Sequence, residues 1–185
     1  MRVWFSGRMR PCQGRDGSSI LPTRTKVMED KLIHCRDLET GQYVEVPQKS
    51  LVFRPAVFGI IIKEENILLV PTRHGYSLPG GAIENGESFE DALEREVYEE
   101  TGLQAKISQL LTTSQDFYVS VNDRKAYQSI IFIFLCKELT GEVSTAQFSE
   151  YEQKYYKKAE WIPFSNEEKI VNAYPHGISE LLKNI

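Results

Sequence analysis

Gly81-Ala-Ile-Glu-Asn-Gly-Glu87-Ser88-Phe-Glu-Asp91-Ala-Leu93-Glu-Arg95-Glu96-Val97-Tyr-Glu99-Glu100-Thr-Gly102-Leu103 is the stretch on which the fold turns. Ser88 is a good helix N-cap, with Asp91 at the capping-box position as the shorter homologue of glutamate, and Gly102 is a good C-terminal stop. The spacing therefore predicts a helix over 89–101. Phe89, Leu93 and Val97, four residues apart, form its core stripe and turn the acidic residues elsewhere. Glu96, Glu99 and Glu100 stand at helical steps of three, four and one, so their carboxylates converge on one side.

Working outward, the connection Tyr76-Ser-Leu-Pro79-Gly80-Gly81 leads into this helix. Its glycines suit a loop that folds back closely over an acidic helix, and Pro79 stiffens the entry. Upstream, 56–62 and 67–70 read as buried strands joined by a polar turn over 63–66. Residues 31–47 read as a hairpin about the turn Glu39-Thr-Gly-Gln42. Downstream, 106–119 and 126–139 read as long strands; the run Ile130-Ile-Phe-Ile-Phe-Leu135 places the second near the middle of the sheet. A last strand follows at 160–162, then closing helices at 166–172 and 178–182. The expected architecture is α/β, a mixed β-sheet with helices on both faces.

The chain has 185 residues, 41% of them apolar, which suits one domain of ordinary size with a full core. The expected division is an N-terminal extension over 1–27, a hairpin addition over 28–50 and the main domain over 51–185. Residues 1–27 hold six basic side chains and one acidic, a net +5, against 16 basic and 25 acidic in 28–185, a net −9. That first segment reads as a disordered arm, as an Arg-rich targeting peptide, or as sequence ahead of a true start at Met28. The acidic remainder is a poor general binder of polyanionic nucleic acid. No apolar run is long enough to span a bilayer. Cys12, Cys35 and Cys136 show neither a zinc spacing nor a disulfide framework, so reduced thiols and a cytoplasmic protein are expected.

Clustered carboxylates call for cations, and hard oxygen donors at this density suit Mg²⁺ or Mn²⁺. Such an ion neutralises a diphosphate that an acidic helix would repel, polarises phosphorus and makes hydroxide available near neutral pH. The competing reading is an ordinary solvated helix face. Repulsion of about 0.2–0.5 kcal/mol per like-charge pair does not exclude it; the joint pattern of glycines, Arg95 and glutamates does. Arg95 stands four residues before Glu99, where its guanidinium can orient a carboxylate. Glu87 gains from the positive end of the helix dipole and serves either the loop or, through water, a metal.

A glycine (Gly81), five residues, Glu87, seven residues, then Arg95-Glu96-Val97-x-Glu99-Glu100-x-Gly102-Leu103 resembles the Nudix box, with every defined position filled. The resemblance, to the Nudix hydrolase (MutT-like) family, implies the Nudix fold, an α/β/α sandwich with a mixed sheet. It implies metal-dependent attack of water on a nucleoside diphosphate derivative: a nucleoside triphosphate, a nucleotide sugar or ADP-ribose, or a dinucleoside polyphosphate. It also implies Glu96, Glu99 and Glu100 as metal ligands, Arg95 as their orienting residue, the Gly80 backbone carbonyl as a further ligand and Glu87 as a secondary one. The family's general base is often an acidic residue on a downstream loop or a box glutamate, which makes Glu150 and Glu152 candidates. Arg73 and His74 either touch substrate phosphate or are simply exposed. Tyr118, with Phe117 and Tyr127, either flanks the ligand or packs in the sheet; the family's dinucleoside polyphosphate enzymes carry a tyrosine in that region and its ADP-ribose enzymes a proline. His34 and His176 read as incidental. A Nudix-fold ligand sensor without turnover is the alternative function. A prenyl diphosphate isomerase would need a reactive cysteine, for which Cys136 in an apolar strand is a poor candidate. The expected partner is a small nucleotide, with no membrane and no nucleic acid; a homodimer is left open.

Overall fold

A computed structural model describes residues 30–72, 75–146, 148, 157–171, 173–175 and 178–182. Among these, nine strands form one mixed sheet: β1 (Leu32–Asp37), β2 (Tyr43–Pro47), β3 (Leu51–Lys63), β4 (Asn66–Thr72), β5 (Gly75–Ser77), β6 (Gly80–Ala82), β7 (Gln104–Val119), β8 (Ala126–Thr140) and β9 (Glu160–Pro163). Three α-helices accompany them: α1 (Phe89–Thr101), α2 (Glu167–Val171) and α3 (Ile178–Leu182). The order is β2-β1-β7-β8-β3-β4-β5, with β6 added to β3 and β9 to β4. β3 runs parallel to β8 and β1 parallel to β7; the other pairs are antiparallel.

β8 lies between β7 and β3, which accounts for its unbroken apolar run: both of its edges are paired and both faces are covered. Strand alternation then sorts the core into two layers. Ala56, Phe58 and Ile60 of β3 join Ile131, Ile133 and Ile178 on the side of α2 and α3, while Val57 and Ile61 join Leu93 and Val97 beneath α1. Helices thus cover opposite faces of the sheet, as in an α/β/α sandwich. The β1–β2 hairpin enters the sheet through two parallel pairs, Arg36 with Tyr118 and Asp37 with Val119. Its turn is locked by Asp37, which accepts two hydrogen bonds from Arg124 in the β7–β8 turn.

Two expectations need correction. Within the glycine-rich connection after β4, the short strands β5 and β6 pair with β4 and β3, because Gly80 and Gly81 lie directly against β3. Phe89 does not join the buried stripe: it is 41% exposed, its ring tilted over Phe132 and Phe134 with centroids 4.7 and 5.9 Å away. It sits on the first turn of α1, and Ala92, Leu93, Val97 and Thr101 form the buried side instead. Among the described residues, no helix is long and apolar enough to cross a membrane.

Candidate active site

α1 is bounded as its end residues require. The Ser88 hydroxyl accepts from the Asp91 amide at 3.1 Å, the Asp91 carboxylate accepts from the Ser88 amide at 3.3 Å, and Gly102 ends the helix at φ 77°. Its depth on the sheet is set by Gly59, where a Cβ would stand 2.9 Å from Cys136 Sγ and 3.5 Å from Leu93 Cδ1. Burial of Leu93 contributes about 1.5–3 kcal/mol, and it anchors the helix so that Arg95, Glu96, Glu99 and Glu100 emerge beside β6.

Arg95 is the hub. Its Nε donates to Glu87 Oε1 at 2.7 Å and its Nη2 to Glu87 Oε2 at 2.9 Å; Nη2 also reaches the Ala82 carbonyl at 3.0 Å. The remaining nitrogen, Nη1, donates to Glu96 Oε1 at 2.9 Å and to Glu99 Oε2 at 3.2 Å. Helical spacing pointed to Glu99 as the partner of Arg95, whereas the two-pronged contact belongs to Glu87, eight residues earlier. Glu87 Oε2 accepts from the Glu84 amide as well, at 2.9 Å, so the structure places Glu87 in the loop's hydrogen bonding. The Arg95 guanidinium, followed by that amide, holds the Glu87 carboxyl at about 2. Arg95 is itself pushed further toward its charged form by Glu87.

Glu96 and Glu99 differ in surroundings although both touch Nη1. The Glu96 side chain is 15% exposed and that of Glu99 51%. Burial raises the Glu96 carboxyl, with Arg95 opposing. The glycine strap presses on the same group: a Cβ at Gly81 would lie 2.5 Å from Glu96 Oε1. At Gly80, φ is 145° and a Cβ would lie 2.2 Å from the Val57 carbonyl oxygen, so a side chain has no room there. The Gly80 amide donates to Glu100 Oε2 at 2.9 Å, tying the third carboxylate to the strap.

The donor set is carboxylate oxygen throughout, the chemistry that Mg²⁺ or Mn²⁺ takes. Among the described residues, no group of three or more His, Cys, Asp or Glu side chains is gathered ready to hold an ion. Two of the three candidate ligands nevertheless meet on one cationic nitrogen, and the cradle around Glu96 exists only because position 81 lacks a Cβ. Glu96, Glu99 and Glu100 thus have the donor chemistry that a divalent ion takes.

Arg73, His74, Glu150, Glu152 and His176 lie outside the described residues. Tyr118 is buried in β7, stacked on Tyr127 at 5.5 Å between centroids, and its hydroxyl accepts from Arg54 Nη1 at 2.8 Å. Phe117 packs with the small core under the hairpin. Arg54, on β3, was not singled out from the sequence; its printed partner is Tyr118, and against the burial that raises the Glu96 carboxyl its charge is a minor opposing cause. The signal was an arginine just before Pro55, within a strand that is otherwise mostly apolar. His34 is exposed, 3.6 Å from Glu45 across the hairpin. Cys136 is buried, and that burial pushes its thiol up to about 12, which disqualifies it as a nucleophile.

Comparison with known proteins decides the family, since the model of the NUDIX domain matches residues 52–179. The chain belongs to the Nudix family. It is 32% identical over 153 residues to an ADP-ribose pyrophosphatase of Methanocaldococcus jannaschii, spanning 79% of this chain and 78% of that one. It is 40% identical over 45 residues to an RNA pyrophosphohydrolase of Shewanella frigidimarina, which is 24% of this chain and 26% of that enzyme. The crystal structure of a MutT NUDIX hydrolase from Burkholderia pseudomallei superposes with a TM-score of 0.54 at 19% identity, covering 72% of this chain and 98% of that one, and shows the shared fold. As a Nudix hydrolase, the protein acts on phosphoric anhydrides.

Proposed function

We propose that this Nudix hydrolase cleaves the diphosphate linkage of a nucleoside diphosphate derivative with Mg²⁺ or Mn²⁺, releasing a nucleoside monophosphate and a phosphorylated remainder. The single observation that carries this reading is the meeting of Glu96 and Glu99 on one cationic nitrogen of Arg95, under the strap that also binds Glu100. Glu96, Glu99 and Glu100 would hold the metal, with the Gly80 carbonyl as a further donor. When bound, a divalent ion supplies charge for the diphosphate and water acidic enough to ionise near neutral pH.

The chain's own residues do the rest. Arg95, braced on Glu87, keeps Glu96 and Glu99 facing one point, which spares their reorganisation during the reaction. Gly80 and Gly81 let the backbone close over them. Glu150 or Glu152 is the candidate base, and Arg73 and His74 are candidate phosphate contacts. Among substrates, the likeness to an ADP-ribose pyrophosphatase favours ADP-ribose or a nucleotide sugar. We assign 51–185 to the catalytic domain, with 28–50 as its hairpin addition. The free buried thiols of Cys35 and Cys136 support a cytoplasmic setting.

The test is a product assay of the purified full chain against nucleoside triphosphates, nucleotide sugars, ADP-ribose and dinucleoside polyphosphates, with Mg²⁺, with Mn²⁺ and with chelator. Monophosphate release that requires the ion supports the proposal. Turnover of none of these substrates with either ion overturns it.

A further inference from the structure

The strap over the acidic helix is fastened from behind by a residue far away in sequence, Tyr174, which follows α2. β5 pairs with β4 along one edge, and Tyr174 bridges to Ser77 on the other. The Tyr174 amide donates to the Tyr76 carbonyl at 2.9 Å; its own carbonyl accepts from the Leu78 amide at 2.7 Å and from Ser77 Oγ at 3.1 Å. Leu78 is fully buried, so its amide has no water to turn to if that carbonyl moves.

The side chain of Tyr174 is what seats this backbone. Its ring meets Phe58 edge-on with centroids 5.5 Å apart, and the Arg36 guanidinium lies 5.3 Å from its centroid. At the tip, the hydroxyl hydrogen-bonds Asp116, which Arg36 also holds at 3.0 Å. Phe58 leads back to the strap: it is opposite Gly80 across β3 and β6, and a Cβ at Gly80 would stand 2.9 Å from Phe58 Cδ1. Two routes from Tyr174 therefore converge on Gly80, one along the backbone through Leu78 and Pro79 and one through the Phe58 ring. Gly80 is the residue whose amide donates to Glu100 at 2.9 Å. A second tie on the strap is weaker, because it lies in an exposed cluster: Tyr76 Oη and Lys169 Nζ both donate to Glu160 Oε2, at 3.0 and 3.2 Å.

We infer that Tyr174 is a positioning residue: its ring, seated on Phe58, Arg36 and Asp116, braces the strap from behind and so keeps the Gly80 amide on Glu100. Its effect on turnover rests on the hydrolase reading above; its effect on the strap does not.

The experiment compares wild type, Tyr174→Ala, Tyr174→Phe and Lys169→Ala in the full chain. It measures amide hydrogen exchange in the metal-free protein, kcat and KM for ADP-ribose with Mg²⁺, and melting temperature. Tyr174→Ala is expected to speed exchange of the Leu78 and Gly80 amides about tenfold or more while the β8 amides keep their protection. It is expected to lower kcat about tenfold, with KM changed less than about threefold. Tyr174→Phe keeps the ring, and Lys169→Ala removes only the exposed tie, so both are expected within about twofold of wild type. Wild-type exchange at both amides or wild-type kcat in Tyr174→Ala overturns the inference, as does equal acceleration across β8. Tyr174→Phe as impaired as Tyr174→Ala, or Lys169→Ala loosening the strap as much, overturns it too. Should Tyr174→Ala fail to fold, Tyr174→Leu decides by the same comparison. A wild type that hydrolyses none of the substrates above, with Leu78 and Gly80 loosened in Tyr174→Ala, upholds the brace and overturns the hydrolase reading.

Discussion

Arg95 grips Glu87 through two parallel hydrogen bonds, Nε to Oε1 at 2.7 Å and Nη2 to Oε2 at 2.9 Å, and so fixes the orientation in which Nη1 meets Glu96 and Glu99. A lysine ammonium cannot reproduce that fork, because it lacks the planar pair of donors. Arg95→Lys is expected to lower kcat about 10²-fold through misplacement of the carboxylates, with the melting temperature affected far less. Equal activity in the two proteins, measured at saturating substrate, would show that the bracing is dispensable.

Glu99 and Glu100 differ in how they are held: one on the exposed side of Arg95, the other on the Gly80 amide. If both ligate the catalytic ion, Glu99→Gln and Glu100→Gln should each reduce turnover on the order of 10²-fold or more while circular dichroism still reports an intact helix. Raising the Mn²⁺ concentration should recover part of the loss, as expected when ligand number rather than fold is impaired. Full activity in either variant at limiting metal would remove that residue from the ligand set.

Gly81→Ala tests the strap. The added Cβ would stand 2.5 Å from Glu96 Oε1, and the side chain can turn away from it where backbone could not. The variant should therefore fold with a near-normal melting temperature and lose activity about tenfold or more, since Glu96 is displaced from its cradle. A variant as active as wild type would mean that Glu96 need not sit where it does.

Asp37 predicts a pH dependence away from the site. Arg124, then the Glu39 amide, holds its carboxyl at about 2 against an ordinary 3.8. A folded-state value below the unfolded one means stabilisation that is fully present above about 4 and disappears as the pH falls through about 2. Thermal melts of Asp37→Asn should lie below wild type at neutral pH, and the two curves should converge over that acid range. Parallel curves would assign the Arg124 contact no role in stability.

Much of the candidate site was legible before any coordinates because its information is local. Ser88, Asp91 and Gly102 bound a helix by backbone chemistry within one turn of themselves, and helical spacing alone puts Glu96 near Glu99. The apolar runs at 56–62 and 130–135 likewise announced buried strands, and the structure extends those strands only at their ends. Phe89 went astray for a related reason: periodicity places a side chain on a helix face but not over the sheet's covered area.

What the amino-acid order determined by itself, then, is the acidic helix, its caps, the family motif and the two-faced sheet, all consequences of short-range periodicity. Tertiary structure alone decided that Arg95 forks onto Glu87, that the Gly80 amide claims Glu100, and that Arg54 sits beside Tyr118 without a carboxylate partner among the described residues. Each of these joins residues on different elements or across a loop. Their meeting depends on the return path of the strap and the pairing of β3, β8 and β7, and long-range register of that kind leaves no periodic trace along the chain.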